Sequence, residues 1–145
     1  LRIYLDACSL QRPLDSKTQI RIILEAEAVL GILALCESGE VEVASSEALM
    51  LEIERNPNMA RREYAVEVLS AAKVFVVLND RLEKRARELN ETGIKPLDAL
   101  HLASAEEEQA DYFCTCDDRF LRKAKMVKGL KTRVVSPLEL IEEIE

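Results

Sequence analysis

Apolar positions along the chain fall into short runs separated by longer stretches of helical rhythm. Arg2-Ile3-Tyr4-Leu5 is brief, apolar and closed by Asp6, which predicts a buried first strand. Val41 to Ala44 alternates as a second strand, and Val74 to Leu78 is an unbroken apolar run that predicts a third, fully buried one. Tyr112 to Thr115 predicts a fourth strand and Thr132 to Val135 a short fifth. Gln11 to Ser16 reads as a loop, with Pro13 discouraging helix. Thr18 to Ser38 carries Ile20, Ile23, Leu24, Ala28, Leu30, Ile32 and Leu35 at helical spacing, which predicts a helix with a broad buried stripe ending at Gly39. Ser45 or Ser46 caps a helix running through Leu49, Met50 and Ile53, and Pro57 stops it. Further helices are predicted over Met59 to Ala71, from Arg81 to Asn90 with Asn79 or Asp80 as cap, and from Pro96 to about Gln109. Asp117 or Asp118 starts a short helix through Ala124. Ser136 caps a terminal helix, with Glu139 at the capping-box position.

Strands and helices alternate throughout, and no Gly/Ser or Pro-rich linker, repeat or low-complexity tract interrupts them. The expected fold is α/β: one domain over residues 1–145, three layers α/β/α, with a mostly parallel sheet of about five strands. Such sheets bind ligands beyond the carboxyl ends of their strands.

Carboxylates occupy those ends. Asp6 closes the first strand and Asp117 lies just past the fourth. Asp98 falls in the first turn of the helix leading into the fourth strand, and Glu52 lies on the helix after the second. Each has a structural explanation of its own. Asp98 complements a helix dipole, Asp117 is an N-cap candidate, and Glu52 stands beside Glu47 and Glu54 as one more exposed acid. Asp6 is the hardest to explain that way, because an acid ending an apolar strand is costly to bury unpaired. Clustered carboxylates repel unless cations intervene. Oxygen donors without a His or Cys set suit Mg²⁺ or Mn²⁺, and such ions support phosphodiester cleavage.

Composition bounds this picture. The chain has 145 residues, 27 acidic and 20 basic side chains and a formal charge of −7. That balance excludes a general nucleic-acid coat protein, which would draw its affinity from Lys and Arg. No apolar stretch approaches a membrane span, and no signal pattern follows Leu1, so a cytoplasmic protein without membrane contact is expected. Cys8, Cys36, Cys114 and Cys116 do not form a disulfide framework, and Cys114 and Cys116 are expected to be small core side chains. The basic residues are unevenly placed. From Arg119 to Arg133 every charged residue is Lys or Arg, while Glu139, Glu142, Glu143 and Glu145 load the tail. A basic surface beside an acidic crevice suits an RNA strand, although a solvated helix and loop explain it equally well.

The ordered motifs resemble the PIN-domain nucleases, among them the toxin ribonucleases of toxin–antitoxin pairs. The match runs over Tyr4-Leu5-Asp6-Ala7-Cys8-Ser9-Leu10, the Ser45 to Ile53 segment, the helix Asp98-Ala99-Leu100-His101-Leu102-Ala103-Ser104-Ala105, and Ala110 to Asp117 with its closing Thr115-Cys116-Asp117. The resemblance implies a Mg²⁺- or Mn²⁺-dependent endoribonuclease, with Asp6, Asp98 and Asp117 holding metal and Glu52 completing the catalytic set. Glu52 matches the family's Glu-Ile position, with Glu47 and Glu54 as alternatives. Ser9, Arg12, Thr115 and Arg119 are candidates for contact with substrate, Arg12 through phosphate. Thr115 also has a reading in which its hydroxyl positions Asp117. Cys8 stands where many members carry Ser or Asn, and Arg119 where some carry another Asp, which leaves one ion or two open. His101 shares a helical face with Asp98 and is read either as a packed helix residue or as a contact to substrate or a carboxylate. The partners implied are RNA, an antitoxin protein and a second copy of the chain. The helices Thr18 to Ser38 and Met59 to Ala71 offer faces that are either docking surface or core. Two alternatives remain: a degenerate PIN-like binding module, and a haloacid-dehalogenase-type phosphatase, which would want an Asp where Cys8 stands.

Overall fold

Ile3, Tyr4 and Leu5 are consecutive and have no exposed surface. Side chains alternate across a strand, so both faces of this strand must be covered. The computed structural model, which describes residues 1–144, shows why: the strand is the centre of a five-stranded sheet. In chain order the elements are β1 (Arg2–Leu5), α1 (Ala7–Gln11), a 3₁₀ turn (Arg12–Leu14), α2 (Ile20–Glu37), β2 (Glu42–Ser46), α3 (Glu47–Glu54), α4 (Met59–Leu69) and β3 (Val74–Val76). Then follow α5 (Asp80–Glu91), α6 (Pro96–Glu107), β4 (Tyr112–Cys114), α7 (Asp118–Lys125), β5 (Arg133–Val135) and α8 (Pro137–Ile144). The strand order is β3-β2-β1-β4-β5 and every pairing is parallel. The expected α/β architecture is therefore present.

Aromatic rings knit the central strands to one helix. Tyr4 stacks on Phe113 of β4 at 5.1 Å, and Phe113 meets Phe120 of α7 edge-on at 5.3 Å. Helix starts follow local chemistry. Ser46, Asn58 and Asn79 each accept a backbone N–H of the turn they cap. Ser136 and Glu139 form the expected reciprocal capping box, both bonds 3.2 Å. Gly39, at φ 86, leaves α2 through the left-handed region as its place in the sequence suggests. Among the described residues no helix is long and apolar enough to cross a membrane.

Three expectations need correction. The third strand is not fully buried: Phe75 is 55% and Val77 59% exposed, because β3 pairs only with β2 and forms a sheet edge. The segment read as a loop at Gln11 to Ser16 holds the end of α1 and the 3₁₀ turn, in which Pro13 occupies an opening position where its missing N–H does no harm. Finally, α2 does not bury a broad apolar stripe. It buries Glu25, Ala26, Ala28, Val29 and Ile32, and leaves Ile20, Ile23, Leu24 and Leu30 exposed.

Candidate active site

β1 and β4 lie side by side, with Leu5 in register with Cys114. The chain leaves β1 toward β2 and returns from β3 to β4 on the other side of β1. This is the switch point of the sheet, where a crevice opens at the carboxyl ends. Asp6 and Asp117 emerge there.

Asp6 caps α1, its Oδ1 accepting the Ser9 amide at 3.0 Å and the Cys8 thiol at 3.0 Å. Burial pushes its carboxyl above the usual range, while hydrogen bonds from Thr115, Cys8 and Ser9 pull the other way. Asp117 caps α7, its Oδ1 accepting the amides of Arg119 at 3.0 Å and Phe120 at 3.2 Å. The Asp117 amide donates to Thr115 Oγ1 at 3.1 Å. Thr115, 1% exposed, thus anchors the Asp117 backbone through its hydroxyl, which also lies 3.8 Å from the Cys8 thiol that donates to Asp6.

Asp98 stands in the first turn of α6, half-buried. Burial raises its carboxyl first, and the charges of Asp6, Asp117 and Glu52 raise it further, with His101 opposing. The fold therefore brings Asp6, Asp117 and Glu52 within electrostatic reach of Asp98. Glu52 Oε1 lies 2.7 Å from His101 Nε2. Of its neighbours, Glu47 accepts the Leu78 amide at 2.8 Å and Glu54 is exposed. Asp118 turns away from the cluster into a pair with Arg21, which holds its carboxyl below the usual range.

The remaining sequence candidates divide. Ser9 is fully buried: its amide serves Asp6 and its hydroxyl donates to the Cys114 carbonyl at 3.1 Å. Arg12 is engaged by Glu25, at 2.9 Å, and by Asp15, at 2.8 Å. Arg119 is exposed and, with Lys95 and Lys123, lines a small cavity shared with Asp98, Asp117 and Phe120. Acids and cations thus meet at one opening. Lys125 and Arg133, further along the basic stretch, pair instead with Glu139 and Glu143.

His101 contacts a carboxylate, one of the readings its spacing from Asp98 allowed, although the sequence did not say that the partners would be Glu52 and Tyr4. Also unread in the sequence is the pair Cys8 and Cys116, whose neighbouring thiols shift in opposite directions, Cys8 up and Cys116 down, with Cys8 donating to Asp6. No sequence spacing signals that pair.

Asp98, raised by burial and then by the charges of Asp6, Asp117 and Glu52, belongs to an all-oxygen donor set of the kind a hard divalent cation prefers. Among the described residues no three Asp, Glu, His or Cys side chains stand close enough together to hold a metal ion. The donor chemistry fits, and the arrangement remains open.

A parallel sheet with acids at its central switch point is the arrangement of a PIN domain, and the family model for the PIN domain matches residues 3–126. The chain belongs to that family. Solved structures share its fold. VapBC2 from Rickettsia felis, bound to a DNA fragment from its promoter, aligns at TM-score 0.59 and 12% identity over 94% of this chain and 98% of that one. FitAB bound to an IR36 DNA fragment aligns at 0.58 and 15% over 93% and 94%. PAE2754 from Pyrobaculum aerophilum aligns at 0.55 and 18% over 99% and 89%. No curated protein sequence matches the chain.

Proposed function

We propose that this chain is a divalent-metal-dependent endoribonuclease that hydrolyses phosphodiester bonds, of the kind that acts as the toxin of a toxin–antitoxin pair. The observation that carries the reading is the placement of Asp6 and Asp117 at the carboxyl ends of the adjacent strands β1 and β4, with Asp98 and Glu52 close enough for their charges, after burial, to act on Asp98. Asp6, Asp98 and Asp117 supply the oxygen ligands for Mg²⁺ or Mn²⁺. When bound, the ions activate water and neutralise charge at the leaving oxygen. Glu52 completes the acid set. The Ser9 amide and the Cys8 thiol hold Asp6, and the α7 amides and the Thr115 hydroxyl hold Asp117. Lys95, Arg119 and Lys123 at the rim attract the phosphates of RNA. Ser9 and Thr115, both buried, serve substrate through the acids they hold, and Arg12 serves it through the turn it anchors.

A protein partner agrees with the exposed apolar side chains of α2 (Ile20, Leu24, Leu30) and α4 (Met59, Val66). These faces suit an antitoxin or a second copy of the chain, and two of the structural neighbours are VapBC2 and FitAB. The protein would act on cytoplasmic RNA.

The test is RNA cleavage with Mn²⁺ by the wild type and by Asp6→Asn. The variant should keep its circular dichroism spectrum and lose cleavage; equal cleavage by both would refute the site. The open geometry of the acids favours a second reading, a PIN domain that binds without cutting. Backbone amides near Asp6 and Asp98 followed during a Mn²⁺ titration separate the two: no response at millimolar metal supports the binding module.

A further inference from the structure

The geometry points to His101 as a positioning residue for Glu52, held in a single tautomer by a buried hydroxyl chain that runs from Ser46 through Tyr4. The inference deepens the nuclease reading and rests on it for its kinetic consequence. His101 Nε2 lies 2.7 Å from Glu52 Oε1, and Nδ1 lies 2.7 Å from Tyr4 Oη. Tyr4 Oη lies 2.7 Å from Ser46 Oγ, which accepts the Leu49 amide at 3.0 Å. Ser46 and Tyr4 have no exposed surface and His101 has 2%.

Counting donors fixes every direction in this chain. The Leu49 N–H donates to Ser46 Oγ. The Ser46 hydroxyl hydrogen then goes to Tyr4 Oη, the other group within its reach. A phenol keeps its proton near neutral pH, so Tyr4, already accepting from Ser46, donates its own hydrogen to His101 Nδ1. Nδ1 must be bare, which leaves the ring proton on Nε2, pointed at the Glu52 carboxylate. The reverse order fails. A proton on Nδ1 would turn the Tyr4 hydroxyl toward Ser46 and strand the Ser46 hydrogen in a dry interior. With no second ring proton, it would also set a nitrogen lone pair against a carboxylate.

The chain begins and ends on the same helix. Leu49 and Glu52 belong to α3, Tyr4 to β1 and His101 to α6. Tyr4 lies two residues before Asp6, and His101 three after Asp98. One closed circuit of hydrogen bonds therefore locks together the three elements that carry Glu52, Asp6 and Asp98. Glu52 is half-exposed on a short helix and would otherwise sample several rotamers. The imidazole gives it one orientation.

His101 is the only histidine, so its ring nitrogens give the only imidazole signals. In ¹⁵N-labelled, metal-free protein near neutral pH, a long-range ¹H–¹⁵N spectrum should show a bare Nδ1 and a protonated Nε2. A ring protonated on Nδ1, or on both nitrogens, overturns the chain of donors. In Tyr4→Phe the Nδ1 signal should shift as it loses its hydrogen bond, while Nε2 keeps its proton; an unmoved Nδ1 overturns the role of Tyr4. Kinetically, His101→Asn, too short to reach Glu52, should lower kcat about 10- to 100-fold with the KM for RNA unchanged. His101→Gln, whose amide nitrogen falls near the place of Nε2, should recover most of that loss. Equal loss in both variants, or none in either, overturns the positioning role. A wild type that cuts no RNA refutes the nuclease reading instead, and the spectrum still decides the tautomer.

Discussion

Glu108, just past the end of α6, is 7% exposed, and among the described residues neither carboxylate oxygen has a hydrogen-bond partner. Burial pushes its carboxyl up to about 8 from 4.5, against the opposing pull of Arg2. A proton favoured by the fold contributes stability that is complete below about 4.5 and is lost as the pH rises through about 8. Asp6 and Asp98 shift in the same direction, so the wild-type curve alone does not isolate Glu108. Glu108→Gln does. Its unfolding free energy relative to wild type should rise by at least about 1 kcal/mol between acidic and alkaline conditions, since each tenfold change in proton affinity is worth about 1.4 kcal/mol. Urea denaturation at both pH values checks this, and a constant difference would contradict it. The contrast with the candidate site shows what single residues reveal. Asp6 and Asp98 were legible because each sits at an element boundary that periodicity locates. For His101 a carboxylate contact was one reading, but its partner Glu52 was not legible, because the bond spans a separation of 49 residues and depends on how α3 meets α6.

The buried acid of α2, Glu25, shows the same limit for whole elements. Helical rhythm predicted the helix, yet the face turned inward carries Glu25 at 1% exposure while Ile20 is 76% exposed. The reason is the 3₁₀ turn, which delivers Arg12 to Glu25 at 2.9 Å; Arg21 adds a weaker contact at 3.5 Å. Pro13 suggested a loop there, and an ion pair formed across that turn leaves no periodic trace. Strand positions were read correctly. The burial of β3 was not, since an apolar run carries no information on whether a strand has one neighbour or two. Arg12→Met keeps the aliphatic stem and abandons a buried carboxylate, so it should destabilise the protein by about 2–4 kcal/mol. The urea midpoint should fall with its slope unchanged. Unchanged stability with weakened RNA binding would instead place Arg12 at the substrate.

Over the whole molecule the net charge of −7 coexists with a local excess of cations. Arg119, Lys95 and Lys123 face the same opening as Asp98 and Asp117, so the potential at this opening differs from the average. Arg119→Glu and Lys123→Glu should each weaken RNA binding and reduce the salt slope of log affinity by about one. Binding titrations at several salt concentrations read this, and an unchanged slope would exclude the rim from the RNA path. The overall architecture was the most legible part of the chain, because alternating strands and helices admit few topologies and place Asp6 and Asp117 at the same carboxyl end of the sheet. The most direct test of the central claim is cleavage of a panel of RNAs with Mg²⁺ and Mn²⁺, run with chelator and with Asp98→Asn purified in parallel. Cleavage by the wild type that chelator and Asp98→Asn both abolish is the predicted result. Cleavage that persists in Asp98→Asn, or survives chelation, would contradict it.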